Sequence, residues 1–181
     1  MYKNKIQSTV LCIILAVIMG GCSSSRTQES TGQYIDDGTI TSKVKSTLLA
    51  NEGLAAYDIN VKTYKGVVLL SGFVDSQQIS NQAAADARSV SGVREVRNKL
   101  LVNNSAGSVK GYTHDTTITT NVKAAIVNDP RLSAFDINVK TYDGVVQLSG
   151  FVDSQQSAEL AAADALKVAH VKRVVSSLIV K

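Results

Sequence analysis

Apolar residues recur every four positions in two stretches of the chain: Ile40, Val44 and Leu48, then Ile118, Val122 and Ile126. That spacing keeps them on one side of a helix and predicts two amphipathic helices, the second over Thr116 to Asn128. Asp37 and Asp115 precede the periodic runs, where a carboxylate is expected to favour the helix dipole and cap free N–H groups. The next stretch, "YDINVKTY", alternates, with Ile59 and Val61 on one face and Asn60 and Lys62 on the other. This is the signature of a half-buried strand. Lys65-Gly66 and Asp143-Gly144 are tight-turn signals leading into "VVLLSGFV" and "VVQLSGFV", so each pair of strands should form a hairpin. In that second strand Val68 and Leu70 keep their types as Val146 and Leu148, but Leu69 becomes Gln147, which marks its face as the wetter one. "DSQQ" then reads as a helix start with Asp75 as cap and Gln78 reaching back. The helix carries "AAADA" at Ala83–Ala87, repeated at Ala161–Ala165, strong helix formers that let it lie close to a sheet. A last strand follows, with Val96, Leu100 and Val102 matched by Val174, Leu178 and Val180.

The order α-β-β-α-β therefore occurs twice. Sliding the chain by 78 residues aligns Asp36–Val102 with His114–Val180 without a gap, and 37 of the 67 positions are identical. A match of that kind means tandem duplication of a whole folding unit; two copies are fewer than a solenoid needs. Each unit is long enough for a small core of its own. The expected architecture is α+β, with copy one over 34–104, a linker at 105–111 and copy two over 112–181. Each copy would have two helices packed on a small three-stranded mixed sheet.

Ahead of the duplication the pattern changes. Lys3 and Lys5 precede an uncharged apolar run, Val10 to Met19, which is shorter than the roughly 20 residues a permanent spanning helix needs. Its length suits the apolar part of an export signal. "MGGC" at its end resembles a bacterial lipobox, with Met19 in the place usually held by leucine. Residues 1–21 are thus expected to be a lipoprotein signal peptide, Cys22 the lipidated residue, and 22–33 a flexible polar tether. Cys12 would leave with the signal, so no disulfide or cysteine-based metal site is expected. Two or more acyl chains would hold the protein firmly in a bilayer. By the same resemblance, Ser23 directs it to the outer membrane, facing the periplasm.

Charge and residue types exclude two function classes. Copy one has eight Lys/Arg against seven Asp/Glu and copy two has seven of each, so neither offers the basic field a nucleic acid requires. His114 and His170, the chain's two histidines, have no counterparts in the opposite copy, and His170 stands where copy one has Gly92. Asp58, Asp75 and Asp86 recur as Asp136, Asp153 and Asp164. They are assigned to strand start, helix cap and exposed helix face rather than to acid–base chemistry. No catalytic residue, metal site or cofactor is expected.

The opening helix "TITSKVKSTLLA", the hairpin "DINVKTYKGVVLLSGFV", the "DSQQ" cap with its alanine helix, and the closing "VREVRNKLLV" together resemble the BON domain, in both copies. Gly72 and Gly150 correspond to the glycine typical of that family's second strand. The pattern is similar to that of tandem BON-domain proteins, both OsmY-like ones and dual-BON outer-membrane lipoproteins. The resemblance implies association with phospholipid surfaces and a part in outer-membrane integrity and osmotic or envelope stress tolerance. The alternative it implies is chaperone-like binding of periplasmic or outer-membrane proteins, for which a three-stranded sheet offers two edges. Lipid contact falls on the first helix of copy two, at Ile118, Val122, Lys123 and Val127. That helix has one lysine and no acid between Thr116 and Asn128, and an anionic headgroup surface would attract it by about 1 kcal/mol per basic residue.

Overall fold

A computed structural model of the chain describes residues 31–103, 112–133 and 136–181. The expected signal peptide, Cys22, most of the tether and the linker at 105–111 lie outside these residues. Copy one consists of α1 (Thr31–Ala50), the single turn α2 (Glu52–Ala55), β1 (Asn60–Tyr64), β2 (Val67–Val74), α3 (Gln77–Ser89) and β3 (Glu95–Val102). Copy two repeats it as α4 (Tyr112–Asn128), β4 (Ile137–Tyr142), β5 (Val145–Val152), α5 (Gln155–Leu166) and β6 (Arg173–Val180). Each copy forms its own mixed sheet: the hairpin strands pair antiparallel, and the third strand joins β2 or β5 in parallel. The middle strand of each sheet is therefore the second of its hairpin.

The helical stripes pack as their spacing predicts. Ile40, Val44 and Leu48 are buried with Val61, Val68, Leu70 and Val74 and with Ala83, Ala84 and Ala87 of α3. Ile118, Val122 and Ile126 are buried in the same way against Val139, Val146, Leu148 and the alanines of α5. Small alanine side chains let α3 and α5 approach their sheets closely, so each copy encloses a dry helix-on-sheet core.

The two-residue turns have positive φ at both positions, 48° and 75° at Lys65-Gly66 and 46° and 72° at Asp143-Gly144. This is the turn whose twist suits a hairpin. Asp37 and Asp115 do something other than cap. α1 starts at Thr31, inside the segment read as tether, and α4 at Tyr112, so both aspartates lie within helices. Both are buried. The Lys65 and Gly66 amides donate to the Asp37 carboxylate at 2.5 and 2.8 Å, and the Asp143 and Gly144 amides donate to Asp115 at 2.8 and 2.9 Å. Each aspartate thus ties the first helix to the hairpin turn through charge-assisted bonds.

The caps of α3 and α5 also differ from expectation. Ser76 and Ser154, one residue after the aspartates, accept from the Ile79 and Ser157 amides. Serine's short side chain folds back on its own turn, which leaves Asp75 and Asp153 for other partners. Gly72 and Gly150 sit at φ 131° and 142°; a Cβ there would lie 2.8 Å from the Asp58 carbonyl oxygen and 1.8 Å from that of Asp136. The glycine is needed because the neighbouring strand's backbone occupies the side-chain position.

Candidate functional site at the seam between the copies

The face of β2 opposite the core carries Leu69, Ser71 and Phe73, and that of β5 carries Gln147, Ser149 and Phe151. These faces meet each other. Leu69, Ser71, Gln147 and Ser149 are all buried, so the face read as the wetter one is a dry seam between the two copies. A leucine-to-glutamine exchange is tolerated there because the amide is fully hydrogen-bonded. Gln147 accepts from the Gly72 amide at 2.8 Å and donates to the Lys99 carbonyl at 2.6 Å and the Ser177 hydroxyl at 3.1 Å.

The contacts across the seam come in reciprocal pairs, as in an isologous interface. The Ser71 and Ser149 hydroxyls are 2.8 Å apart. Tyr64 packs on Phe151 with ring centroids 5.4 Å apart, and Phe73 packs on Tyr142 at 5.6 Å. Lys62 pairs with Asp136 of the other copy at 3.9 Å, and Lys140 with Asp58. Asp58 and Asp136 therefore bridge the copies instead of only opening a strand.

The two halves of this arrangement differ in the charges they gather. In one half the Lys181 ammonium lies 3.0 Å from Asp136 and 3.1 Å from Asp153, and 5.8 Å from the centre of the Tyr64 ring. Burial opposes its charge, but the hydrogen bonds to Asp136 and Asp153 outweigh that and hold its pKa above the usual lysine value. Burial, with Lys181 nearby, pushes Lys62 down despite the pull of Asp136. In the other half Asn103 is the sequence counterpart of Lys181, the Lys140 ammonium sits against Asp58, and a groove of about 490 Å³ runs between Tyr57–Asp58, Phe73 and the α4–β4 edge. There the Tyr57 hydroxyl donates to Asp75 at 2.8 Å; that bond, with partial burial, raises the phenol's pKa. Burial first, then the carboxylates of Asp143, Asp75 and Asp115, raises that of Tyr142.

Helix α4 forms one wall of the groove through Thr116, Thr119, Thr120 and Lys123. Of the four residues expected to contact lipid, Ile118 and Val122 are buried in the core of copy two and cannot meet a bilayer while the helix stays seated. Their four-residue spacing reports the stripe facing the sheet. Lys123 and Val127 are exposed, Val127 to 66%. Asp115, the acid in the first turn of α4, is held by the turn amides, and no other acid occurs along the helix. The seam was missed in the sequence because a fully bonded glutamine and a solvated one leave the same trace. Among the described residues no group of three metal-ligating side chains converges, and no helix is long and apolar enough to cross a membrane. His114 and His170 are both exposed.

Comparison with known proteins gives a consistent picture. The family model for the BON domain matches residues 36–104 and 114–181. "Osmotically-inducible protein Y" of Escherichia coli (strain K12) is 40% identical over 196 aligned positions, covering 98% of each chain. "Outer membrane lipoprotein DolP" of Haemophilus influenzae is 35% identical over 166, covering 90% of this chain and 85% of that one.

Proposed function

This chain belongs to the BON domain family, and from that premise we propose that it is a non-enzymatic protein of the bacterial envelope that associates with phospholipid. In this reading Cys22 carries the acyl anchor, the protein faces the periplasm from the outer membrane, and the folded part supports envelope integrity under osmotic stress. The names of the two relatives, one osmotically inducible and one an outer-membrane lipoprotein, support the compartment and the role.

The observation that carries the lipid reading is the outer side of α4, where Lys123 and Val127 are exposed on a helix without a solvent-facing acid in the stretch Thr116–Asn128. Lysine is drawn to an anionic headgroup layer, and valine can dip below it. Each effect is small, on the order of 1–2 kcal/mol. Such weak affinity matters only because a tether holds the helix beside the bilayer at high effective concentration. Closure of both sheet faces on each other leaves the strand edges for any client protein.

Flotation with vesicles containing anionic lipid tests this. A chain lacking residues 1–21 and carrying Cys22→Ala should float weakly, and Lys123→Glu with Val127→Asp should abolish flotation without altering the fold. Undiminished flotation of that double variant would refute the role of α4. Suppression of client aggregation without flotation would favour the chaperone reading. Palmitate labelling of the full-length protein, lost in Cys22→Ala, tests the anchor separately.

A further inference from the structure

The duplication supplies an internal comparison for the sheet edges. β3 and β6 are equivalent strands of eight residues, each at the edge of its sheet and paired on one side only among the described residues. The Asn103 amide donates inward to the Val74 carbonyl at 2.8 Å, and the Lys181 amide to the Val152 carbonyl at 2.9 Å. Backbone groups alternate in direction along a strand, so those of Val96, Asn98, Leu100 and Val102 point away from β2. Those of Val174, Ser176, Leu178 and Val180 point away from β5 in the same way. Copy one guards this outward row twice. Glu95, Arg97 and Lys99 are exposed charges along the strand. The Asn98 side chain also accepts from the outward Leu100 amide at 3.2 Å while donating to the Ser80 hydroxyl at 2.9 Å. Such charges and side-chain bonds keep an edge from recruiting another strand. Copy two has Arg173, Val175 and Ser177 at the charged places, and Ser176 and Ala158 in place of the Asn98–Ser80 pair. From Val174 to Val180 no residue is charged; Val174, Val175, Leu178 and Ile179 are half-buried and Val180 is 45% exposed.

We propose that the outer edge of β6 is a strand-addition site for an extended segment of another polypeptide, apolar at alternate positions and acidic at the end that meets Arg173. A row of outward N–H and C=O groups is satisfied in full by an extended backbone, and the apolar positions then lie beside Val174, Val175, Leu178 and Ile179. A second copy of β6 fits less well, because antiparallel pairing about Ser177 sets Arg173 against Lys181 at both ends of the ladder. Lys181 already pairs with Asp136 and Asp153, so the exposed Arg173 sets the charge the partner needs. The site lies on a different element from α4 and does not rest on the lipid reading.

The test uses the chain without residues 1–21 and with Cys22→Ala. The probe is the capped peptide Glu-Thr-Val-Thr-Val-Thr-Val-Glu, and the control carries proline at its third and sixth positions, which blocks both of its edges. Amide hydrogen exchange is followed by NMR. Saturating peptide should slow exchange of the Val174, Ser176, Leu178 and Val180 amides and leave those of Val96, Asn98 and Val102 unchanged. Ser176→Pro removes one outward N–H without touching the ladder to β5, and Val175→Arg copies the charge of Arg97; each should weaken peptide binding about 10-fold. A peptide with lysine for both glutamates should also bind more weakly. Equal binding of the proline peptide, equal protection of β3 and β6, or unchanged affinity in a folded Ser176→Pro protein would overturn the proposal. So would a concentration-dependent dimer that protects the same β6 amides without peptide, since the occupant would then be a second copy.

Discussion

Replacing Gln147 by leucine would restore at the seam the residue that copy one carries as Leu69, and a count of apolar area alone predicts a gain. The hydrogen bonds predict the opposite. Without the amide, the Gly72 N–H and the Lys99 carbonyl lose partners at 2.8 and 2.6 Å. Each buried group left unsatisfied costs about 1–3 kcal/mol. The Ser177 hydroxyl only accepts from the amide nitrogen, at 3.1 Å, and keeps its own O–H to donate elsewhere, so the loss of that bond counts for little. Against this, the leucine side chain contributes about 2 kcal/mol of apolar transfer. The balance is a destabilisation of about 2 kcal/mol, or roughly 4–8 °C in Tm for a chain of this size. Thermal and urea unfolding, followed by circular dichroism, measures it. The seam couples two cores, so the variant should also broaden the transition or split it as the copies unfold separately. A Gln147→Leu protein as stable as the parent, melting in one equally sharp transition, would refute the reasoning, because apolar burial would then outweigh the polar network.

Two further predictions rest on the backbone. Asp115→Ala removes the carboxylate that receives the Asp143 and Gly144 amides at 2.8 and 2.9 Å, and should cost about 1.5–3 kcal/mol in urea unfolding, with Asp37→Ala behaving alike. Gly150→Ala should be more damaging than Gly72→Ala, since the added methyl meets a carbonyl oxygen at 1.8 rather than 2.8 Å. Both should exceed about 1 kcal/mol at these φ values, and reversal of their order in paired melts would contradict the geometry.

The elements of each copy were legible because local periodicity reports burial against the copy's own sheet. Ile40, Val44 and Leu48 repeat at helical spacing, Ile59 and Val61 alternate, and Lys65-Gly66 and Asp143-Gly144 are turns that few other conformations would accommodate. The resemblance to the BON family rests on those core and turn residues. Roles set by distant partners were not legible. Asp37 and Asp115 look like helix-start residues from their position, and only the fold brings a turn 28 residues away onto their oxygens. Ile118 and Val122 suit a bilayer or a core equally well, and packing chose the core. Likewise, the exchange of Leu69 for Gln147 signals water when each copy is read alone. By itself, then, the chain determined one α-β-β-α-β unit and its repetition, because those follow from contacts within about 70 residues. The tertiary structure alone decided that the two sheets close on each other and that Lys181 joins Asp136 and Asp153 beside the Tyr64 ring of the other copy. Contact between two folded surfaces depends on their joint shape and charge, which no local period encodes.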